Sequence, residues 1–157
     1  MSGLLRGALL GAAAGAAGTT ALNATTYLDM VVRGRPTSST PEDTVEKLSE
    51  RVHVPVPGQG EARDNRVAGL GPLTGLVAGV GTGALLGLAR ASGWRTGPGS
   101  GAVVATLGAL VGTNGPMTAL GVTDPLAWPP SAWAADIVPH LAYGAVTATV
   151  LARLDPE

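Results

Sequence analysis

The residues best suited to chemistry in this sequence stand inside or beside long apolar runs. Asp136 and His140 lie four residues apart, so on a helix they share one face, where the carboxylate would favour an imidazolium or fix the tautomer of a neutral ring. Asn23, Asp29 and Asn114 are the other polar groups so placed, while Pro116 and Pro139 each free a backbone carbonyl one turn earlier. These five polar side chains could line a proton or cation site, or a small-solute pocket. They could equally be ties between helices, where hydrogen bonds average about 0.6 kcal/mol. The residue types leave both readings open. Asp29, Asp136 and His140 lack a diagnostic ligand spacing, so no metal is expected. Without cysteine there is no thiolate or redox pair, and no nucleophile elbow, zinc-helix motif or phosphate loop occurs. The chain is therefore expected to be noncatalytic and to need no cofactor.

Four windows must position these groups. Residues 7–28, 67–89 and 96–123 contain no Asp, Glu, Lys or Arg, and residues 125–152 contain only Asp136. A bilayer core about 30 Å thick needs roughly 20 apolar residues in a helix, and only helices or closed barrels satisfy their backbones there. Helices are expected near Gly7–Val32, Val67–Ala91, Pro98–Val122 and Ala132–Leu154. The fold class expected is all-α: a single domain over 1–157, polytopic, with about four transmembrane helices. The mean hydropathy of +0.29 is modest because the apolar residues are mostly Ala, Gly, Val and Leu with no Phe, and glycine dilutes it. A soluble bundle should instead show polar faces with Glu/Lys pairs on every helix, which are absent here. The first run also continues well past a signal-peptide core. A charged fraction of 13% and a net charge of -1 give no basic surface of the kind that nucleic acid binding needs, so nucleic acid is not an expected partner.

The most specific pattern is glycine spacing. Gly71, Gly75, Gly79, Gly83 and Gly87 recur every fourth residue, as do Gly7, Gly11 and Gly15 followed by Thr19 and Asn23. Small residues in register let backbones approach closely where lipid supplies no hydrophobic drive, with a right-handed crossing near -40°. In water five such glycines would each cost about 1 kcal/mol of helix propensity. On the same four-residue rule Asp136 and His140 align with Gly144, Ala148 and Ala152, so the polar members, Asn23 included, are expected to face neighbouring helices. His140 is then about 12 Å below the start of the fourth helix, facing inward near the level of Asn23 and Asn114.

Residues 33–66 form the only long polar stretch. Thr40 reads as an N-cap, followed by Pro41 and the acids Glu42 and Asp43, which predicts a short helix over Pro41–Arg51. Val45, Leu48 and Val52 share one side of it, suited to a membrane surface, to the bundle or to plain solvation. His53 is expected to be solvated. The pattern Gly7-Ala8-Leu9-Leu10 with Gly18-Thr19 returns as Gly101-Ala102-Val103-Val104 with Gly112-Thr113, which suggests a two-plus-two parallel repeat. Trp94, Trp128 and Trp133 fall at the turn-arounds, where interfacial aromatics belong. Arg6, Arg90, Arg95 and Arg153 on one side face Arg33, Arg35, Lys47, Arg51, Arg63 and Arg66 on the other, so the positive-inside rule selects no orientation.

Three stretches stand out: Arg33-Gly34-Arg35-Pro36-Thr37-Ser38-Ser39-Thr40-Pro41-Glu42, Pro116-Met117-Thr118-Ala119-Leu120-Gly121-Val122-Thr123-Asp124-Pro125 and Asp136-Ile137-Val138-Pro139-His140-Leu141-Ala142-Tyr143-Gly144. In them the chain resembles an uncharacterised family of small actinobacterial integral membrane proteins. The resemblance implies a multi-pass protein of the bacterial plasma membrane with four helices, and carries over no activity, ligand or catalytic residue. The expected partners are the lipid bilayer and either a second copy or a larger membrane complex, engaged through the glycine groove. The alternative is a small transporter or channel using the polar cluster.

Overall fold

A computed structural model describes residues 3–155. The described chain is all-α: α1 (Gly3–Arg33), α2 (Thr40–Val52), α3 (Glu61–Ala91), α4 (Pro98–Ala119) and α5 (Pro130–Leu154), with a 3-10 turn at Pro125–Ala127 before α5. The four long helices form a bundle in which α1 packs against α3 and α5, α4 packs mainly on α5, and α2 lies on α3.

Several boundaries differ from the sequence expectation. Loss of charge was the signal for a helix start, but helices run on into charged sequence. α3 begins at Glu61, where Glu61 and Asp64 suit the positive end of the helix dipole, and Gly60 just before it holds a left-handed φ of 52°. α4 stops at Ala119 rather than Val122, because Gly121 adopts φ +71° and the amides of Leu120, Gly121 and Val122 fold back onto the carbonyls of Pro116, Thr118 and Met117. The N-cap of α2 is Ser39, not Thr40, with the Asp43 amide donating to the Ser39 carbonyl at 2.9 Å.

α2 docks on α3 along part of its length: of Val45, Leu48 and Val52 only Val45 is buried, and Leu48 and Val52 stay exposed. Val45 packs with Val56 and Val67 in a small apolar core, and Arg63 donates two hydrogen bonds to the Glu46 carboxylate, one of 2.7 Å. Arg66 donates to the Pro57 carbonyl at 2.8 Å, which ties the connecting loop down. His53 ends α2 in a left-handed conformation and is exposed, as expected.

The distribution of side-chain size across the bundle is inverted relative to a water-soluble protein. Small residues fill the interior: Ala14, Ala105 and Ala109 are buried with Thr19, Thr106 and Thr147, and among the described residues Tyr143 is the one large side chain wholly enclosed. The outer faces carry Leu28, Val31, Val77, Leu85, Val103 and Val111, each more than half exposed. Two helices, α3 and α5, are long and apolar enough to cross a membrane. α1 and α4 fall short of that hydropathy, since glycine, threonine and an asparagine in each lower their mean.

Candidate functional site: a polar cluster beside a glycine seam

The α1/α3 seam is built from backbone. A Cβ placed on Gly7 would meet the Gly87 carbonyl oxygen at 2.6 Å, one on Gly11 would lie 2.8 Å from the Gly87 Cα, and one on Gly15 would reach the Gly79 oxygen at 2.6 Å. From the α3 side, a Cβ on Gly83 would lie 2.5 Å from the Gly15 Cα. Only glycine permits this approach, and the antiparallel order of the rungs follows from the four-residue spacing on each helix. The groove expected to serve association between molecules is thus filled within the chain: α1 covers Gly79, Gly83 and Gly87, and Pro41 and Glu42 of α2 cover Gly71.

The seam ends at Thr19, whose Oγ1 lies where a Gly79 Cβ would be. Beyond it the next rung would join Asn23 to Gly75, but Gly75 has open space around it and Asn23 is exposed. The expectation that both face a neighbouring helix is corrected here. A four-residue stripe drifts about 40° per step, and one turn earlier α1 has already shifted its contact to α5, where a Gly18 Cβ would clash with Thr147 and Tyr143.

The polar cluster lies between α4 and α5. Asn114 Nδ2 donates to Asp136 Oδ2 at 2.8 Å, and His140 Nδ1 is 2.7 Å from the Asp136 carbonyl and 3.5 Å from Asp136 Oδ1. On the far side of the ring, Nε2 is 3.3 Å from Thr113 Oγ1, which itself donates to the Ala109 carbonyl at 2.9 Å. A hydroxyl has one proton to give. While Thr113 donates to Ala109 it can only accept from His140, and a ring that donates from both nitrogens is an imidazolium with Asp136 as its counter-charge. A neutral ring protonated on Nδ1 keeps the Asp136 carbonyl and leaves Nε2 to compete for the Thr113 proton. In that neutral form either Nε2 or the Ala109 carbonyl goes without its bond.

His140 is buried, as expected, and Asn114 and Asp136 stand beside it. Asn23 is not at this site. Asp29 is not there either: it pairs with Arg33 at 3.5 Å and with Arg35 at the end of α1. Asn114 Oδ1 is buried without a partner. A cavity of about 260 Å³ between α1 and α5 is lined by Asp29, Arg33, Ala135 and Pro139, and a second of about 330 Å³ lies at the opposite end of α5; neither is lined by His140. Among the described residues no cluster of three metal-ligating side chains occurs.

Three contacts at the bundle centre were not singled out from the sequence. Tyr143 donates to the Gly79 carbonyl at 2.7 Å, Thr106 Oγ1 fills the space beside Gly144, and Thr113 meets His140. Tyr143 stands three residues after His140 in a chain that is 3% aromatic, a signal that could have marked it as an inward anchor. No protein-family model, curated protein or solved structure matches this chain.

Proposed function

We propose that this chain is a noncatalytic, multi-pass integral membrane protein whose four long helices cross a bacterial plasma membrane, acting through helix packing as an accessory subunit or homo-oligomer. The observation that carries this reading is the inverted bundle, with glycine, alanine and threonine inside and leucine and valine outside. In water such a molecule would expose far more large apolar surface than a soluble protein tolerates, whereas lipid removes that cost and leaves close backbone packing as the cohesive force. The resemblance of three stretches to a small actinobacterial membrane family agrees with it. Because the glycine groove is occupied within the chain, association would use the outer faces. Contacts of Gly7 with α3 and Gly101 with α5, and of Gly18 with α5 and Gly112 with α3, support the two-plus-two repeat.

The absence of cysteine makes the test direct. Single cysteines at Gln59, Ser92 and Leu126 should react with a membrane-impermeant maleimide from one side for Gln59 and Leu126, and from the other for Ser92. Labelling of all three from one side would sink the four-crossing reading.

A second reading, a proton or cation pathway, rests on the Asp136–His140 pair and on the unpartnered Asn114 Oδ1. That neither cavity is lined by His140 weighs against it. Proteoliposomes that dissipate an imposed pH gradient, with the flux abolished in His140→Leu, would establish it over the packing reading.

A further inference from the structure

We infer that the Arg6, Arg90 and Arg95 end of the bundle is a binding site for one anionic phospholipid, its phosphate on the arginines and an acyl chain in the adjoining cavity. The inference rests on the membrane reading above and adds a ligand to it.

Three guanidinium groups converge there on a single carboxylate. Arg90 donates to the Asp155 backbone oxygen at 2.8 Å and lies 3.2 Å from its Oδ2, while Arg6 reaches Oδ1 at 3.3 Å and Arg95 reaches Oδ2 at 3.7 Å. Among the described residues Asp155 is the one carboxylate paired with these three cations, against which it sets a single negative charge. Arg90 is nearly enclosed and caps the end of α5, whereas the side chains of Arg6 and Arg95 are 57% and 41% exposed and free to turn toward a second anion. The first turn of α4, which bears no acidic residue, opens at the same place.

Beside this charge lies the cavity of about 330 Å³, walled by Leu86, Leu151, Ala148 and Ala152, with Arg90 and Trp94 among its lining residues. A largely apolar slot, with Thr96 and Thr147 also in its wall and guanidinium groups and an exposed tryptophan at one end, matches an amphiphile with an anionic head. The opposite end of the bundle differs, since Asp29 takes Arg33 and Arg35, and Glu46 takes Arg63.

The full-length protein, extracted in detergent, should be offered an equimolar mixture of phosphatidylglycerol and phosphatidylcholine and the retained lipid measured by native mass spectrometry. One arginine near a membrane surface is worth about fivefold in anion affinity, so phosphatidylglycerol should be retained at least about fivefold over phosphatidylcholine. Arg6→Gln with Arg95→Gln should abolish that preference, and Ala152→Leu, which fills the cavity, should lower retention of both lipids. Equal retention by the unaltered protein, or a preference that survives the double glutamine variant, overturns the site. Inorganic phosphate alone raising the melting temperature as much as phosphatidylglycerol does would also overturn it, in favour of a free anion. Carbonate washing of membranes separates this from the parent reading: release of the protein removes both, whereas a retained protein indifferent to headgroup loses only this site.

Discussion

The α1/α3 and α4/α5 seams join helices of similar composition by different means. Between α1 and α3 the contact is backbone on backbone: Gly7, Gly11 and Gly15 interlock with Gly79, Gly83 and Gly87, and no side chain is needed to read the match. Between α4 and α5 the contact is made by side chains, with Thr106 set into Gly144, Asn114 on Asp136 and Thr113 on His140. The first kind of seam is specified by spacing alone and tolerates no added atom. The second depends on individual hydrogen bonds, each worth little, and on how α4 is rotated against α5.

The largest expected effect sets the backbone seam against its own open end. Gly83→Leu places a side chain where a Cβ already lies 2.4 Å from the Gly11 oxygen. It should cost about 3 kcal/mol or more by overpacking, read as a fall in the thermal midpoint in detergent. Gly75→Leu, on the same stripe but facing open space, should stay within about 1 kcal/mol of the unaltered protein, with better helix propensity in its favour. Equal losses at the two positions would mean that the stripe acts as one unit and that the seam does not end at Thr19.

Next comes the side-chain seam. Asn114→Ala removes the donor to Asp136 Oδ2 and leaves a partly buried carboxylate short of a partner, a loss of about 1–3 kcal/mol. A double-mutant cycle with Asp136→Ala should return a coupling of about 0.6–1.7 kcal/mol, the range of hydrogen bonds between membrane helices. A coupling near zero would remove Asn114 from the cluster and leave His140 as the sole partner of Asp136.

These two seams also differ in how far the sequence reveals them. The charge-free windows mark four long helices because a long run without ionised groups admits few other uses, and Gly79, Gly83 and Gly87 are legible because their spacing is itself the interface. Asn23 shows where such reasoning stops. Its place on the stripe is correct, but which helix it meets depends on where α1 and α3 diverge, and that is set by Thr19 against Gly79 and by Tyr143 wedged behind Gly18. The partners of His140 divide likewise. Asp136 follows from the four-residue spacing on one helix, whereas Thr113 and Asn114 require knowing how α4 is rotated against α5. Helix ends escaped because α3 uses Glu61 and Asp64 in its first turn, residues that a search for uncharged sequence discards.

A smaller effect probes the histidine's share of the side-chain seam. His140→Leu removes the partner of Thr113 and of the Asp136 carbonyl, so the thermal midpoint in detergent should fall by the equivalent of about 1 kcal/mol. A midpoint equal to that of the unaltered protein would take His140 out of the ties that hold α4 to α5.

The smallest effect lies outside both seams, where α2 docks on α3. The hydrogen bonds from Arg63 hold the Glu46 carboxyl below its ordinary value of 4.5, with partial burial opposing and the guanidinium charge adding to them. A carboxyl whose value is lower in the folded protein contributes stability that is fully present above its unfolded value and is lost as the pH falls through the folded one. Docking of α2 should therefore be constant from neutral pH to about pH 5 and weaken only in more acid solution. Because the pair is exposed to screening, the change should be local and should shrink at high salt. Hydrogen exchange of the α2 amides would show it as protection that fades below pH 4.5 while α1 and α3 stay protected. In Glu46→Gln the acid step should disappear and α2 should exchange faster at neutral pH, held then by Val45 against Val56 and Val67 and by Pro41 and Glu42 against Gly71. If α2 loosened to the same extent at every pH, the apolar trio rather than the ion pair would be what fixes it to the bundle.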